Sequence, residues 1–324
     1  MNSANGRRSW LLACATTLVG AALSGQVDES AARMRFYAAG AASSLVEEGL
    51  ALPAPAGADA DAFQPVPSPA VRNVPNDAQA TSAPWIDTNA WRFARGLRKA
   101  NYANLPRGSA ALAAAEAFTF GVDAILNPDP ADVQELAATL RFLKAQERPP
   151  MPALANIGIV DDGSPAMGEV LNMLTRRNLL YRIVARPDRS LDLVVQLGSP
   201  AFPREAASNP SEFAARVRAT LGDEKRLVRL YGTSTAIAHL TGDGRRARLY
   251  ILSYGRNGNQ AGVRVRVLGR YQPVNLAAYG APTGATLTDV QHPARATEFS
   301  LPTFSTLAIV DLQAMPQRRV SAQD

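Results

Sequence analysis

A strand, a polar turn and the start of a helix follow one another without a break between residues 157 and 171. The strand is the apolar run Ile157–Val160, which is typical of a strand covered on both faces. The turn is Asp161-Asp162-Gly163-Ser164, and Pro165 then stands where proline favours the first turn of a helix. This order predicts an α/β unit built on a parallel sheet.

The sequence around this stretch predicts that the unit extends over residues 151–225. Apolar residues at helical spacing continue to about residue 178, and residues 180–184 and 191–197 have the composition of two further strands. Asn209-Pro210 provides the cap and the first-turn proline of a last helix, which Gly222 ends. Strand–helix–strand order implies parallel pairing with a right-handed crossover.

Short strands separated by polar turns occupy residues 226–314. Thr241-Gly242-Asp243-Gly244 is one such turn, and over residues 263–267 valine alternates with arginine. The alternation indicates one buried face and one wet face. These residues predict a C-terminal antiparallel β-sandwich.

Residues 1–25 have the composition of a secretory signal peptide. Arg7 and Arg8 precede an apolar run, and small residues follow it at the expected cleavage site. The run is too short for a comfortable membrane span, so we expect export to the periplasm or the outside of the cell, with no transmembrane span after cleavage. A lipid anchor on Cys14 is the less favoured alternative. Cys14 is the only cysteine of the chain, so the mature protein would have no disulfide and no thiolate nucleophile.

Alanine and proline dominate residues 26–83, which predicts a mostly disordered linker. Residues 315–324 are predicted to form a disordered tail. Between the linker and the α/β unit, residues 84–150 predict a helical region that begins with an aromatic strand. Its two helices are an alanine-rich one over residues 109–126 and a second one that Asp129-Pro130 opens.

The aromatic strand supplies the first candidate ligand-binding residues. Aromatic and polar side chains alternate there, and the candidates are Trp85, Asp87, Asn89, Trp91 and Arg92. Indole rings stack on sugars while acids, amides and guanidinium groups bond hydroxyls, so the group suits a carbohydrate site. The alternative is a strand whose aromatic side chains anchor the first domain.

The turn after Val160 supplies the remaining candidates, Asp161, Asp162 and Ser164. Ligands of parallel sheets bind beyond the carboxyl ends of the strands, where this turn falls. The two acids could act as acid and base or hold a hard metal ion, or they could serve the helix dipole alone. Ser164 could be a nucleophile, but its place before Pro165 favours a helix cap.

Several common reaction signatures are missing from the sequence. It has no H-E-x-x-H, no P-loop and no G-x-G-x-x-G after a strand, and its two histidines are far apart. We therefore expect no cofactor and no metal. The net charge is +6, but the basic residues are scattered and form no run or stripe, which argues against nucleic acid as a partner.

The order of parts resembles the C-terminal end of large bacterial glycoside hydrolases. The resemblance covers about residues 84–312 and rests on Trp85-Ile86-Asp87-Thr88-Asn89-Ala90-Trp91-Arg92, on Gly158 to Pro165, and on the strands from Arg226 onward. It implies an amidotransferase/flavodoxin-like α/β domain followed by the β-sandwich. In those enzymes a β/α barrel carries the catalysis and the later domains are accessory. The region before residue 151 is far too short for a whole barrel.

The resemblance and the missing nucleophile together predict an exported, non-catalytic protein of glycosidase-accessory type. Its partner would be a polysaccharide, an oligosaccharide or another protein. One alternative is a glycoside hydrolase that uses paired carboxylates, which Asp87, Asp161 or Asp162 would supply. Glu116 is a further candidate carboxylate, although the sequence does not show that any two of these acids converge. Another alternative is an envelope scaffold that forms homo-oligomers.

Overall fold

The structure is a computed structural model that describes residues 34–72, 85–255 and 259–316. It is a mixed α/β protein with parallel and antiparallel sheets. The predicted signal peptide and the tail beyond residue 316 lie outside the described residues. Within the three described ranges, none of the helices has the length and the apolar character that a membrane span requires.

The first part of the chain forms a parallel sheet with helices beside it. In chain order its elements are β1 (Phe36–Ala38), α1 (Ser44–Glu47), β2 (Leu52–Pro53), α2 (Ala58–Asp61), β3 (Gln64–Pro65), β4 (Ala70–Arg72), β5 (Trp85–Asp87), α3 (Ala90–Ala94), β6 (Lys99–Leu105), α4 (Ala110–Phe120), β7 (Asp123–Pro128) and α5 (Val133–Ala145). Five strands pair in the order β2-β1-β7-β6-β3, all parallel, while β4 and β5 form an antiparallel pair.

The linker prediction for residues 26–83 is wrong for residues 34–72, which belong to this first part. Tyr37 of β1 lies between Leu52 of β2 and Ile125 of β7 in the sheet register. Leu45 is buried in the core that the sheet shares with α4 and α5. The prolines fit because β2 and β3 are two-residue strands at the sheet edges, where a missing amide proton is tolerated.

The predicted helix over residues 109–126 is also too long. α4 ends at Phe120 because Gly121 adopts a left-handed conformation with φ 64°. The apolar residues that follow form β7, which lies between β1 and β6. A strand covered on both faces has a continuous apolar run, and such a run cannot be distinguished from helix by periodicity.

The second part is the α/β unit that the sequence predicts. Its elements are β8 (Ile157–Val160), α6 (Pro165–Arg176), β9 (Tyr181–Ile183), β10 (Leu193–Gln196) and α7 (Pro210–Leu221), and the parallel strands are ordered β10-β8-β9. The cap predictions are confirmed. The Ser164 side chain accepts from the Met167 amide and the Asn209 side chain from the Glu212 amide.

The third part consists of two four-stranded antiparallel sheets, ordered β11-β14-β17-β16 and β12-β13-β18-β15. Its strands are β11 (Val228–Tyr231), β12 (Ala236–Gly242), β13 (Arg246–Ser253), β14 (Arg264–Leu268), β15 (Tyr271–Ala278), β16 (Thr288–Gln291), β17 (Ala296–Ser300) and β18 (Leu307–Ala314). Buried apolar side chains from both sheets form one core. In β14 the valines point into this core, as predicted. The prediction of a wet opposite face is wrong, because Arg264 is half-buried and Arg266 is buried, at 8% exposure.

Candidate functional site

The candidate site centres on the carboxyl end of β8. The chain leaves β8 through α6 to reach β9 on one side, and later returns to β10 on the other side. The strand order therefore reverses at β8, which is where open α/β sheets form ligand crevices. Asp161 and Asp162 follow β8 at this point.

Asp161 is held by an arginine that the sequence reasoning missed. Arg95 donates to it twice, from Nε to Oδ2 at 2.7 Å and from Nη2 to Oδ1 at 2.8 Å. The same Nη2 also donates to the Ser164 carbonyl at 3.2 Å, and the Gly163 amide donates to Asp161 Oδ1 at 3.0 Å. Both oxygens of Asp161 are therefore occupied by hydrogen-bond donors, which hold its carboxyl group against Arg95 and the turn.

Asp162 is bonded in a similar way on the outer side of the turn. Its Oδ1 accepts from the Ser164 amide at 3.0 Å, and its Oδ2 accepts from Arg204 Nη1 at 2.9 Å. The hydrogen bonds from Ser164, supported by the charge of Arg204, lower the pKa of Asp162 to about 2. A carboxyl with that pKa is ionised near neutral pH and is a poor general acid.

Ser164 acts as the cap of α6, as one of the two sequence interpretations predicted. Its Oγ accepts from the Met167 amide at 3.1 Å. Neither histidine is among the residues bonded to Ser164 in the described chain: His239 lies in β12 and packs against Phe120, while His292 lies near Thr297. A serine–histidine pair at this turn therefore has no support from the geometry.

Trp91 lies on α3 against the opening of α6 and is half-buried. An ideal Cβ on Gly168 would lie 3.2 Å from two carbons of the indole ring, so the absence of a side chain there lets the ring lie on the helix. Two guanidinium groups lie over the same indole, with Cζ at 4.2 Å for Arg92 and 5.1 Å for Arg95. These cations occupy positions over the ring where a sugar would stack.

Asn89 directly precedes α3 and is 1% exposed. Its Nδ2 donates to the Pro67 carbonyl and to Glu116, and its Oδ1 accepts from Arg92 Nη1 at 3.1 Å. Asp87 is half-buried at the end of β5. Burial lowers the pKa of Arg92, and the negative charges of Glu116, Glu169 and Asp87 oppose that shift.

Glu116 is the centre of a buried network that sequence reasoning did not find. It is fully buried on α4, and its two oxygens accept five hydrogen bonds of 2.7 to 3.1 Å, from Thr88 Oγ1, Tyr254 OH, the Asn89 amide and side chain, and Tyr102 OH. Burial, and then the charge of Glu116, raise the pKa of both tyrosines well above the usual value. The sequence gives one indication of this network, which is that Glu116 is the single acid in the alanine-rich helix α4.

The structure therefore brings together some of the eight predicted site residues. Arg95 joins Trp91 to Asp161 and to the Ser164 backbone, and Asn89 is bonded to Arg92. Asp162 is bonded on the other side of the turn to Arg204. The backbone of Trp85 lies in β5, opposite Arg72, while its side chain is outside the described residues.

A groove of about 200 Å³ lies elsewhere, between β1, β2 and the end of α5. Its lining includes Phe36, Leu52, Phe118, Leu143 and Lys144. Across the described ranges there is no group of three or more histidine, cysteine, aspartate or glutamate residues that could hold a metal ion.

Neither a protein-family model nor a curated protein matches the sequence. Among solved structures, the chain is similar to α-L-fucosidase isoenzyme 2 from Paenibacillus thiaminolyticus, with a TM-score of 0.50 and 10% identity. That match covers 64% of this chain and 57% of the fucosidase chain, so it spans little more than half of the enzyme. At this identity the likeness concerns the fold alone, which resembles that of a glycoside hydrolase.

A second solved structure, Eubacterium rectale Amy13B, aligns with 66% of this chain and 52% of its own at 8% identity. Its TM-score is 0.17, which is too low to indicate a shared fold.

Proposed function

We propose that the protein is an exported, non-catalytic protein of glycosidase-accessory type that binds carbohydrate or another protein. The observation that carries the proposal is the state of the acids at the end of β8. Asp161 is bonded on both oxygens by Arg95 and the Gly163 amide, and Asp162 is bonded by Arg204 and the Ser164 amide. Carboxylates held in this way shape a surface instead of transferring protons.

The architecture supports the accessory interpretation. In the described residues before 151, the parallel sheet has five strands, and two of them are only two residues long. A catalytic β/α barrel has eight strands. We infer that the α/β unit is the amidotransferase-like accessory domain, that the two antiparallel sheets form the β-sandwich that follows it, and that the leader exports the chain.

The binding surface that we propose surrounds Trp91. The ring is half-buried, with Arg92 and Arg95 over it. Tryptophan and arginine are the residue types most enriched where proteins bind partners. A sugar would have to displace a guanidinium group to stack on the indole, so the geometry favours a protein partner or a glycan that bonds the arginines.

The alternative of a glycoside hydrolase has one supporting observation. Asp87 and Glu169 both act on the charge of Arg92, as does the buried Glu116, so this guanidinium group has more than one carboxylate near it. A pair of carboxylates on either side of a bond is what glycoside hydrolysis needs. We regard Asp87 as the first residue to test for this activity.

The test compares binding with hydrolysis on the same preparation of the full chain. A panel of 4-nitrophenyl glycosides that includes the α-L-fucoside measures hydrolysis, and co-sedimentation with insoluble polysaccharides measures binding. We expect no hydrolysis and retention by one polymer, with loss of retention in Trp91→Ala. Val274→Ala is the control, because Val274 is an exposed apolar residue in the third part of the chain, with 62% exposure.

Hydrolysis that disappears in Asp87→Asn would replace the accessory proposal with the enzymatic one. If neither hydrolysis nor retention is observed, the proposed partner is another protein and not a carbohydrate. Cross-linking and light scattering of the full chain would then measure self-association, the prediction of the scaffold alternative.

A further inference from the structure

Two arginines face each other across β11 and β14. Arg229 and Arg266 are direct partners in the antiparallel register. Like charges in this position destabilise a sheet. Arg266 is only 8% exposed, so water screens its charge poorly. On its other side Arg266 faces Glu298 of β17, whose Oε1 lies 3.8 Å from its Nε and whose Oε2 bonds Arg264 at 2.8 Å. Because Arg264 shares that acid, Arg229 and Arg266 require a further anion between or above their guanidinium groups.

Glu224 supplies that anion from the short 3₁₀ turn Asp223–Lys225. Arg229 Nη2 donates to its Oε1 at 2.9 Å, and Arg266 Nη2 donates to its Oε2 at 3.2 Å. Each carboxylate oxygen goes to a different arginine. The two guanidinium groups are thus arranged to share one planar, two-oxygen anion.

The arginines are largely buried but their counter-ion is not. The exposed fraction of the side chain is 14% for Arg229 and 9% for Arg266, against 83% for Glu224. Ion pairs made by such an exposed carboxylate are weak, because water and salt compete with them. Arg229 also has a second anchor, since its Nε donates to the Asp223 carbonyl at 2.7 Å. The two guanidinium groups are held in place while the carboxylate between them is held loosely. Another carboxylate can therefore replace that of Glu224.

The surroundings keep an excess of positive charge at this place. Asp223 is already bonded on both oxygens by Arg218, at 2.7 Å each. Arg226 is 8% exposed, and its Nε, like Arg266 Nη1, is buried without a hydrogen-bond partner among the described residues. Burial lowers the pKa of Arg226, and the charge of Arg218 lowers it further. The acids of the turn therefore leave the arginines under-compensated.

We propose that Arg229 and Arg266 form a binding site for an acidic side chain of another polypeptide, whose carboxylate replaces that of Glu224. A polypeptide is the occupant that the geometry favours, because the group now in the site is itself a glutamate side chain. Tyr231 follows Arg229 by two residues and so lies on the same face of β11, and it is 43% exposed. A tyrosine beside arginines is a typical composition for a protein contact.

The test measures binding of a fluorescent synthetic peptide that copies residues 220–226 of this chain, by anisotropy against the full chain. We take Glu224 to occupy the site in about nine-tenths of the molecules, which leaves about one-tenth open to the peptide. The apparent affinity for the peptide is then about tenfold weaker than that of a permanently open site. We therefore expect Glu224→Gln to bind the peptide about tenfold more tightly than the original chain, on the same population argument. Glu205→Gln, which makes the same charge change at an exposed acid elsewhere, is expected to leave binding unchanged.

Two further measurements decide the identity of the site. Adding Arg229→Gln to the Glu224→Gln variant should abolish binding, and a peptide with glutamine and asparagine in place of its acids should not bind. Circular dichroism and melting curves establish that each variant is folded. Equal affinity of the original chain and Glu224→Gln would overturn the proposal, as would binding that survives Arg229→Gln. Binding of oligouronates but not of the peptide would overturn the polypeptide assignment.

Discussion

Arg95 and Asp161 form a two-point ion pair that joins helix α3 to the turn after β8. The two hydrogen bonds are 2.7 and 2.8 Å long, and the side chains are 21% and 10% exposed. The pair therefore fixes the aromatic segment against the α/β unit, and it uses the acid that the sequence places at the switch point of the sheet.

Asp161→Asn is expected to lower the free energy of unfolding by about 1–3 kcal/mol, since it leaves a largely buried guanidinium group without its anion. Urea denaturation measures the change. Arg204→Gln is the matched control, because Arg204 is 63% exposed in its pair with Asp162 and such pairs contribute about 0–1 kcal/mol. A double-mutant cycle of Arg95 and Asp161 without coupling would contradict the structural role. Unchanged stability with lost ligand binding would instead favour a direct binding role.

Glu116→Gln should lower the free energy of unfolding more than Asp161→Asn does. The five donors that point at Glu116 need an acceptor, and an amide offers only one oxygen, so a buried donor is left unpaired at about 1–3 kcal/mol each. We expect a loss of about 3 kcal/mol or more. Glu135→Gln on α5, at an exposed position, should change stability by less than about 0.5 kcal/mol. Equal effects of the two substitutions in thermal or urea unfolding would contradict the network.

The stability of the protein should fall between pH 6.5 and pH 4 because of His239. The ring packs against Phe120 and Tyr250, at centroid distances of 4.6 and 6.0 Å, and burial lowers its pKa from 6.5 to about 4. In this window the unfolded chain binds a proton that the folded chain does not, so acidification favours unfolding. The loss is at most about 3 kcal/mol, at 1.36 kcal/mol for each pKa unit.

Unfolding curves at several pH values test this expectation. His239→Phe should remove most of the slope between pH 6.5 and pH 4, whereas His292→Asn should keep it. The carboxyls of Asp162, Asp223 and Asp243, whose pKa values are lowered to about 2, lose their contribution only at more acidic pH. A slope that persists in His239→Phe would assign the effect to another group.

The sequence predicts local features of this fold better than it predicts pairings. The caps of α6 and α7 were predicted because the cap residue and the first-turn proline are neighbours in the chain. The boundary between α4 and β7 was missed, since β7 acquires its strand conformation from β1 and β6 on either side. The parallel strands of residues 34–72 were missed because their apolar residues are few and prolines stand among them.

The candidate site shows the same limit. Asp161 and Trp91 were found by type and position, but the partner that joins them, Arg95, lies 66 residues from Asp161 in the chain. Arg95 is one of many arginines scattered over the chain, and nothing in the sequence around it indicates that it pairs with Asp161. Glu116 is similar, because its donors come from three separate segments, two of them distant in the chain.

Gly168→Ala tests whether the Trp91 ring requires a glycine at position 168. Alanine is the better helix former by about 0.5–1 kcal/mol. At position 168 of α6, however, its Cβ would lie 3.2 Å from two ring carbons of Trp91, which is closer than ordinary van der Waals contact. We expect the substitution to be destabilising in the original chain. In a Trp91→Phe background the smaller ring removes the obstacle, and Gly168→Ala should then stabilise the protein by about 0.5–1 kcal/mol. The same sign in both backgrounds, measured by urea unfolding, would show that the indole does not require the glycine.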